Sequence, residues 1–426
     1  MAHPNKTPTH TTSEIFAALL HPAVIVGALG YFVDIYDLVL FGVVRVNSLK
    51  DLGYTGEELA TNGAWLFNWQ MGGMLLGGIL WGLLGDRFGR LKVLFGSIIL
   101  YSLANIANAF VHDLGAYTAC RFVAGIGLAG ELGGSITLVS EVLPRTLRGY
   151  GTMMVSAVGV LGAVAAGLAA NYYPAFFGIA VWRQLYVIGG ILGFLLLFLR
   201  VFVSESGLYK TMEGTNRPTF ASQLGLILAP QRIGRYICCI MIGLPTWYVV
   251  GLLVLFSPEF GVALGATGKI VAGTALAWTY GGICAGDVAS NILSQFARSR
   301  KNVLLGFIIS ACILSGVFLG LHQPSPTNVY AICFILGISV GYWSVYVTVA
   351  AEHFGTNMRA TVATTVPNFT RGAVIPITNF FLLLKAYHYP AVTSAIIVGT
   401  MAFMLALIGV GGLRETFDDD LDYLEK

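Results

Sequence analysis

Twelve stretches of this chain are apolar for long enough to cross a lipid bilayer. They run at approximately 21–44, 62–85, 92–111, 117–141, 149–172, 183–203, 234–257, 269–294, 303–321, 329–351, 360–384 and 391–413. Each meets the roughly 17–25 residues a hydrocarbon core requires. Inside hydrocarbon no water is available to backbone N–H and C=O groups, and a helix is the structure that satisfies them within one segment. An all-α membrane protein with twelve transmembrane helices follows. Charged residues make up 11% of the 426 positions, against roughly 25% in soluble domains. The net charge of +3 is spread along the chain and forms no basic face. Nucleic acid is therefore not an expected partner, whereas a lipid bilayer is.

Gly125, Gly127 and Gly130 spell G-x-G-x-x-G, which signifies dinucleotide binding when it follows a strand and opens a helix. Here it lies within an apolar run of spanning length, so the glycines are expected to form a close-packing seam, as are the glycine runs of spans 2, 5 and 6. Six cysteines, Cys120, Cys238, Cys239, Cys284, Cys312 and Cys333, sit in apolar runs without metal-ligand spacing. They read as free thiols. His21, His112, His322, His353 and His388 fall at helix ends or loops and make no metal motif. No cofactor or metal is called for, and a monomer is expected. The polar residues 1–13 precede a first apolar run too long for the core of a cleaved signal.

With the N-terminus in the cytoplasm, seventeen of the 24 lysines and arginines lie on the cytoplasmic side, which places both termini there. The longest polar interruption, about 204–233, reads as a cytoplasmic linker between an N-terminal six-helix half (1–203) and a C-terminal one (234–413). The acidic tail, 414–426, reads as a solvated end. An internal repeat supports the division: an offset of 209 lays Trp69, Gly72, Gly73 and Gly77 over Trp278, Gly281, Gly282 and Gly286. An offset of 211 lays Gly130, Glu141 and Arg148 over Gly341, Glu352 and Arg359.

The loop between spans 2 and 3, GLLGDRFGRLK from Gly82 to Lys92, resembles the G-x-x-x-D-R-x-G-R-x-K signature of the major facilitator superfamily. The resemblance implies a fold of two six-helix halves and a cytoplasmic latch built from Asp86, Arg87 and Arg90, with Glu141 and Arg148 at the end of span 4. In the second half Gln295 takes the place of Asp86 and Arg298 replaces a glycine, so the latch is expected to be asymmetric. GYFVDIYDLVLFG in span 1, GELGG in span 4, Glu141, Pro144, Arg148 and Gly149, and WRQLY in span 6 are similar to the metabolite:proton symporter branch. That branch imports small carboxylates, betaines and amino acids together with protons. Gln184, Leu185 and Gly207 depart from its pattern.

Six ionisable groups fall within spans: Asp34, Asp37, Arg121, Glu131, Asp287 and Arg371. Each costs roughly 2.5–3.5 kcal/mol near a helix centre, on the order of 15 kcal/mol together, so they call for pairing or a water-filled cavity. At a rise of about 1.5 Å per residue, Asp34 and Asp37 lie about 20 and 24 Å from the cytoplasmic helix end and Arg121 about 30 Å. Glu131, Asp287 and Arg371 lie about 15, 11 and 16 Å deep. Asp34 and Asp37 share one helix face, and two close carboxyls in a low dielectric resist double ionisation. In sugar-porter relatives a helix 1 Asp pairs with a helix 4 Arg at places that Asp37 and Arg121 match. Proton coupling is thus assigned to Asp37, Arg121, Glu131 and Asp34, with a static salt bridge or a neutral packing carboxyl as the alternative.

Arg371 lies between Pro367 and Pro376, which are expected to loosen its helix. A guanidinium at mid-membrane suits a carboxylate substrate; an internal pair with Asp287 is the other reading. Tyr342, Tyr346, Asn368, Trp247 and Gln70 complete the candidate substrate site. The expected function is proton-coupled import of a small organic anion by alternating access. A zwitterion carrier and a proton-driven exporter are its rivals. A receptor would want an added signalling domain, and an intramembrane enzyme a metal or nucleophile constellation.

Overall fold

The computed structural model describes residues 12–88, 90–130, 143, 147–175, 178–203, 220–227, 229–355 and 358–417, and every regular element among them is helical. A short α1 (Thr12–Leu19) precedes the first six spans. These are α2 (Pro22–Asp51), α3 (Glu58–Phe88), α4 (Arg90–Asn108), α5 (Leu114–Leu128), α6 (Arg148–Tyr172) and α7 (Val181–Val203). Within the stretch expected to be a linker, α8 (Phe220–Ile227) forms. The seventh span consists of α9 (Pro230–Ile242), α10 (Leu244–Tyr248), a π-helical turn (Val249–Val254) and α11 (Ser257–Ala263). Then come α12 (Ala272–Ala297) and α13 (Arg300–Leu319). The tenth span is α14 (Pro326–Val340) with α15 (Trp343–Glu352), and the eleventh is α16 (Arg359–Gly372) with α17 (Val374–Ala386). The twelfth is α18 (Ala391–Gly412).

Among the described residues three spans expected to be continuous are broken, and each break has a local cause. Pro245 and Pro258 stand in the first turns of α10 and α11, where the missing N–H costs nothing to the new helix but ends the old ladder. Gly341 leaves helical geometry between α14 and α15, where a Cβ on it would overlap the backbone of Ile283 and Gly286 in α12. Pro376 deprives the Gly372 carbonyl of its helical partner, and the chain restarts at Val374. Pro367, by contrast, lies inside α16 without interrupting it, so the helix is loosened on one side of Arg371 only.

Lipid tails are as apolar as leucine, so helices in a bilayer associate by close packing of small residues. A Cβ on Gly73 or Gly77 of α3 would overlap the Phe122 or Ile126 carbonyl oxygen of α5. In the second half a Cβ on Gly282 or Gly286 of α12 would overlap the Phe334 or Ile338 carbonyl of α14. The glycines matched by the 209 offset therefore do the same work in three dimensions. The G-x-G-x-x-G run is part of this seam: Gly125 meets the Gln70 carbonyl, Gly127 meets Tyr101, and Gly130 meets Ser97 and Trp81. Among the described residues the halves touch where α6 and α2 meet α12 and where α3 meets α16 and α17. At the centre α2 packs on α6, α7, α12 and α3, and is buried along most of its length.

Candidate functional site

Where α2, α6, α10, α12, α15 and α16 converge they enclose a cavity of about 40 Å³. Its aromatic walls are Tyr31, Trp247, Tyr280 and Trp343, and its charged groups are Asp287 and Arg371. One water occupies roughly 10–15 Å³ on this measure, so the walls have to part before a ring-sized solute fits. Tyr280, Ile283 and Asp287 follow i, i+3, i+7 along α12, which turns all three to the same face.

Asp287 is fixed by donors from both halves. Ser156 Oγ of α6 donates to its Oδ2 at 2.9 Å, the Ser344 backbone N–H donates to its Oδ1 at 2.8 Å, and the Ser344 hydroxyl donates to Oδ2. The Ser344 N–H is available because the break at Gly341 makes it a first-turn group of α15, where no helical acceptor exists. Arg371 lies 1% exposed in α16. Its Nη1 donates to Asn368 Oδ1 at 3.3 Å, and its guanidinium stands 5.8 Å from the centre of the Trp343 ring. Its charge bears on Tyr31 and Tyr280. Arg371 and Asp287 share the cavity without an ion pair, and Arg371 Nε makes no hydrogen bond among the described residues. The Trp247 indole N–H likewise has no acceptor there.

The other expected substrate contacts lie away from the cavity. Tyr342 donates to the Ile242 carbonyl at 2.9 Å, and the Tyr346 hydroxyl bonds Thr370 Oγ1 at 2.5 Å, so both tie α15 to neighbouring helices. Gln70 Nε2 donates to the Leu38 carbonyl at 3.4 Å. Asn368 reaches the Ala129 carbonyl at 3.5 Å and acts on the site through Arg371. Tyr31, Tyr280, Ser156 and Ser344 are not among the residues the sequence singles out, whereas Trp343 belongs to its aromatic cluster on spans 7 and 10. The spacing of Tyr31 to Asp34 and of Tyr280 to Asp287 is the signal that could have found the two tyrosines.

A second cluster of charge lies between α2, α4, α5 and α7. Asp34, Asp37 and Arg121 are fully buried. Arg121 does not form the direct ion pair that the sequence suggests; its Nη2 donates to Asn105 Oδ1 at 2.5 Å and its guanidinium stacks 4.5 Å over the Tyr186 ring. The Arg121 charge still bears on Asp37, and Asn105 stands beside the Asp37 carboxyl just outside close hydrogen-bonding geometry. Asn105, a polar residue in an apolar run, thereby relays one group to the other. Asp37 Oδ1 also lies where a Cβ on Gly189 would fall, which brings α7 against it. Asp34 sits one turn away, in electrostatic reach of Tyr31 at the cavity.

Glu131 and Glu141 lie outside the described residues, as do the side chains of Asp86, Arg87, Arg90 and Arg148. The corresponding end of the second half is described. There Arg300 Nη2 pairs with Glu352 Oε1 at 2.7 Å, and Thr416 Oγ1 donates to Glu352 Oε2 at 2.8 Å. Arg298, in place of the motif glycine, adopts a left-handed φ of 47° just before Ser299 caps α13.

Residues 27–375 match the family described as Major Facilitator Superfamily. The chain belongs to that superfamily. It is a multi-pass membrane transport protein rather than an enzyme. A gentisate transporter of Corynebacterium glutamicum is 27% identical over 406 residues, covering 90% of this chain and 86% of its own. A 4-hydroxybenzoate transporter, PcaK, of Acinetobacter baylyi is 26% identical over 86% of this chain and 88% of its own. The inward-open structure of the xylose transporter XylE from E. coli superposes with a TM-score of 0.66 at 16% identity, covering 96% of this chain and 98% of that one.

Proposed function

We propose that this transporter imports a small aromatic carboxylate together with protons, with both termini in the cytoplasm. The observation that carries this reading is the cavity that Arg371, its Nε without a partner among the described residues, lines together with the rings of Tyr31, Trp247, Tyr280 and Trp343. A guanidinium edge matches a carboxylate in two parallel bonds, and ring walls favour a flat apolar body. The gentisate and 4-hydroxybenzoate carriers among its relatives support it. Proton coupling is assigned to Asp37 with Asn105 and Arg121. Protonating Asp37 removes the negative charge that Arg121 senses and frees α2 to shift against α4, α5 and α7. Substrate at Arg371 and a proton at Asp37 act on the same helix α2, through Tyr31 and through Asp37 itself, so both bias one pair of states.

Asp287 in the same cavity favours a second reading, a zwitterion whose cation meets that carboxylate. Its three donors weigh against it, because they already use three of the four lone-pair directions of that carboxylate. A thermal-shift screen of aromatic carboxylates, aliphatic carboxylates, betaines and amino acids at two pH values separates the readings. Stabilisation by aromatic acids alone is expected; stabilisation by betaines or amino acids alone would replace the first reading with the second.

A further inference from the structure

Seven residues beyond Leu38 on α2, about 10 Å further from the termini-bearing end, Arg45 is 0% exposed. Its contacts divide between the two halves. Nη1 donates to the Leu59 carbonyl of α3 at 3.1 Å, within its own half. Nη2 donates to the Leu255 carbonyl at 3.1 Å and lies 2.8 Å from both oxygens of Glu259, and the guanidinium stacks 4.6 Å over the Phe256 ring. All three of these partners belong to the seventh span, at the break between its π-helical turn and α11. A continuous helix would have spent the Leu255 carbonyl on the Glu259 N–H; the break at Phe256, just before α11, presents it to Arg45 instead.

Towards this end the space continuing from the cavity narrows. Leu38, Gly42, Leu255 and Leu276 close round a void of about 10 Å³, and a Cβ on Gly42 would overlap Leu255 and Leu276. Other ties cross between the halves beside it: Asn68 to Asn379 at 2.9 Å, Asn171 to Thr274 at 2.8 Å, and the weaker, exposed Lys385 to Glu57 at 3.7 Å. Those are amide, hydroxyl and surface contacts, whereas Arg45 carries a buried charge whose counter-ion sits on the opposite half. Separating the halves here takes from Arg45 its carboxylate, one carbonyl and a ring at once.

We propose that Arg45 and Glu259 form the latch that keeps the cavity closed at this end, and that α11 with the adjoining turn is the gate it holds. Resting on the transport reading above, this is the outer gate through which substrate enters. Opening requires the Glu259 carboxylate, already partly exposed, to leave Arg45, after which water reaches the buried guanidinium as well. Because Arg45 stays bound to Leu59, the moving part is the seventh span and not the first.

The test is hydrogen–deuterium exchange of the full chain in lipid nanodiscs, comparing wild type with Glu259→Gln. The amide keeps the shape but loses the charge-assisted bond, so exchange over residues 255–264 should rise about tenfold or more. Exchange at the opposite end, over residues 290–300, should slow in parallel, since closing one end is what opens the other. Arg45→Lys, which keeps the charge but not the fork, should give a smaller change with the same sign, and it serves if Glu259→Gln does not fold. Unchanged exchange over 255–264, or faster exchange at both ends alike, overturns the latch. The measurement uses no substrate, so it stands or falls apart from the ligand screen.

Discussion

Replacing Arg371 by lysine tests the substrate reading most directly. In the structure one guanidinium nitrogen is held by Asn368 at 3.3 Å, and Nε is buried without a partner among the described residues. A carboxylate that docks on the free edge gains two charge-assisted hydrogen bonds, each worth about 1.5–3 kcal/mol. Lysine keeps the charge but offers a point donor in place of the planar fork, so one of the two bonds is lost. The loss of about 1.5–3 kcal/mol corresponds to a Kd raised roughly ten- to 150-fold. Lysine also gives up its hold on Asn368, whose Nδ2 reaches the Ala129 carbonyl, so Arg371→Gln is measured alongside to separate charge from shape. Isothermal titration of the purified proteins with 4-hydroxybenzoate or gentisate reads the change. A Kd within threefold of wild type in Arg371→Lys would falsify the assignment of the carboxylate to this guanidinium and move the substrate elsewhere.

Three further outcomes are expected. Asp37→Asn should abolish pH-driven accumulation in proteoliposomes while leaving substrate exchange across the membrane; accumulation at the wild-type level would remove Asp37 from the coupling. Gly282→Ala forces a methyl into the Phe334 carbonyl and should cost about 1–3 kcal/mol, whereas Gly306→Ala, with nothing within 4 Å, should be neutral or gain roughly 0.5–1 kcal/mol. Equal melting temperatures for the two would refute the packing seam. Glu415, beyond the last span, accepts from Ser299 Oγ at 2.5 Å and from the backbone N–H groups of Arg300, Lys301 and Thr416. Burial pushes its carboxyl up, but the Ser299 hydroxyl and those N–H groups outweigh it and hold the carboxyl below the ordinary glutamate range. Its stabilisation is therefore complete above the unfolded value of about 4.3 and is lost as pH falls through the lower folded value. Glu415→Gln should melt lower than wild type at neutral pH, and the gap should close in acid; a gap independent of pH would place the effect in packing instead.

The twelve spans and the duplicated halves were legible because the bilayer enforces them residue by residue. Hydrocarbon admits no unsatisfied backbone, so apolar length alone selects helices, and the glycines at offset 209 announce the seams at which those helices touch. The intramembrane charges were legible for the same reason, since Asp37, Arg121, Asp287 and Arg371 are too costly to be there without a task.

Which partner each charge takes was decided by tertiary structure. Arg121 turns to Asn105 and Tyr186, and Asp287 to Ser156 and Ser344, because a hydrogen-bonding direction depends on where a neighbouring helix ends, which no spacing within one helix records. The breaks at Gly341 and Leu255 are of the same kind. Each releases a backbone group, Ser344 N–H to Asp287 and Leu255 carbonyl to Arg45. Sequence by itself determined that the chain spans the membrane in two related halves and buries charge at the centre, because solvent exclusion acts on every residue locally. The fold determined which of those charges face one another, because that depends on the approach of helices distant in the chain.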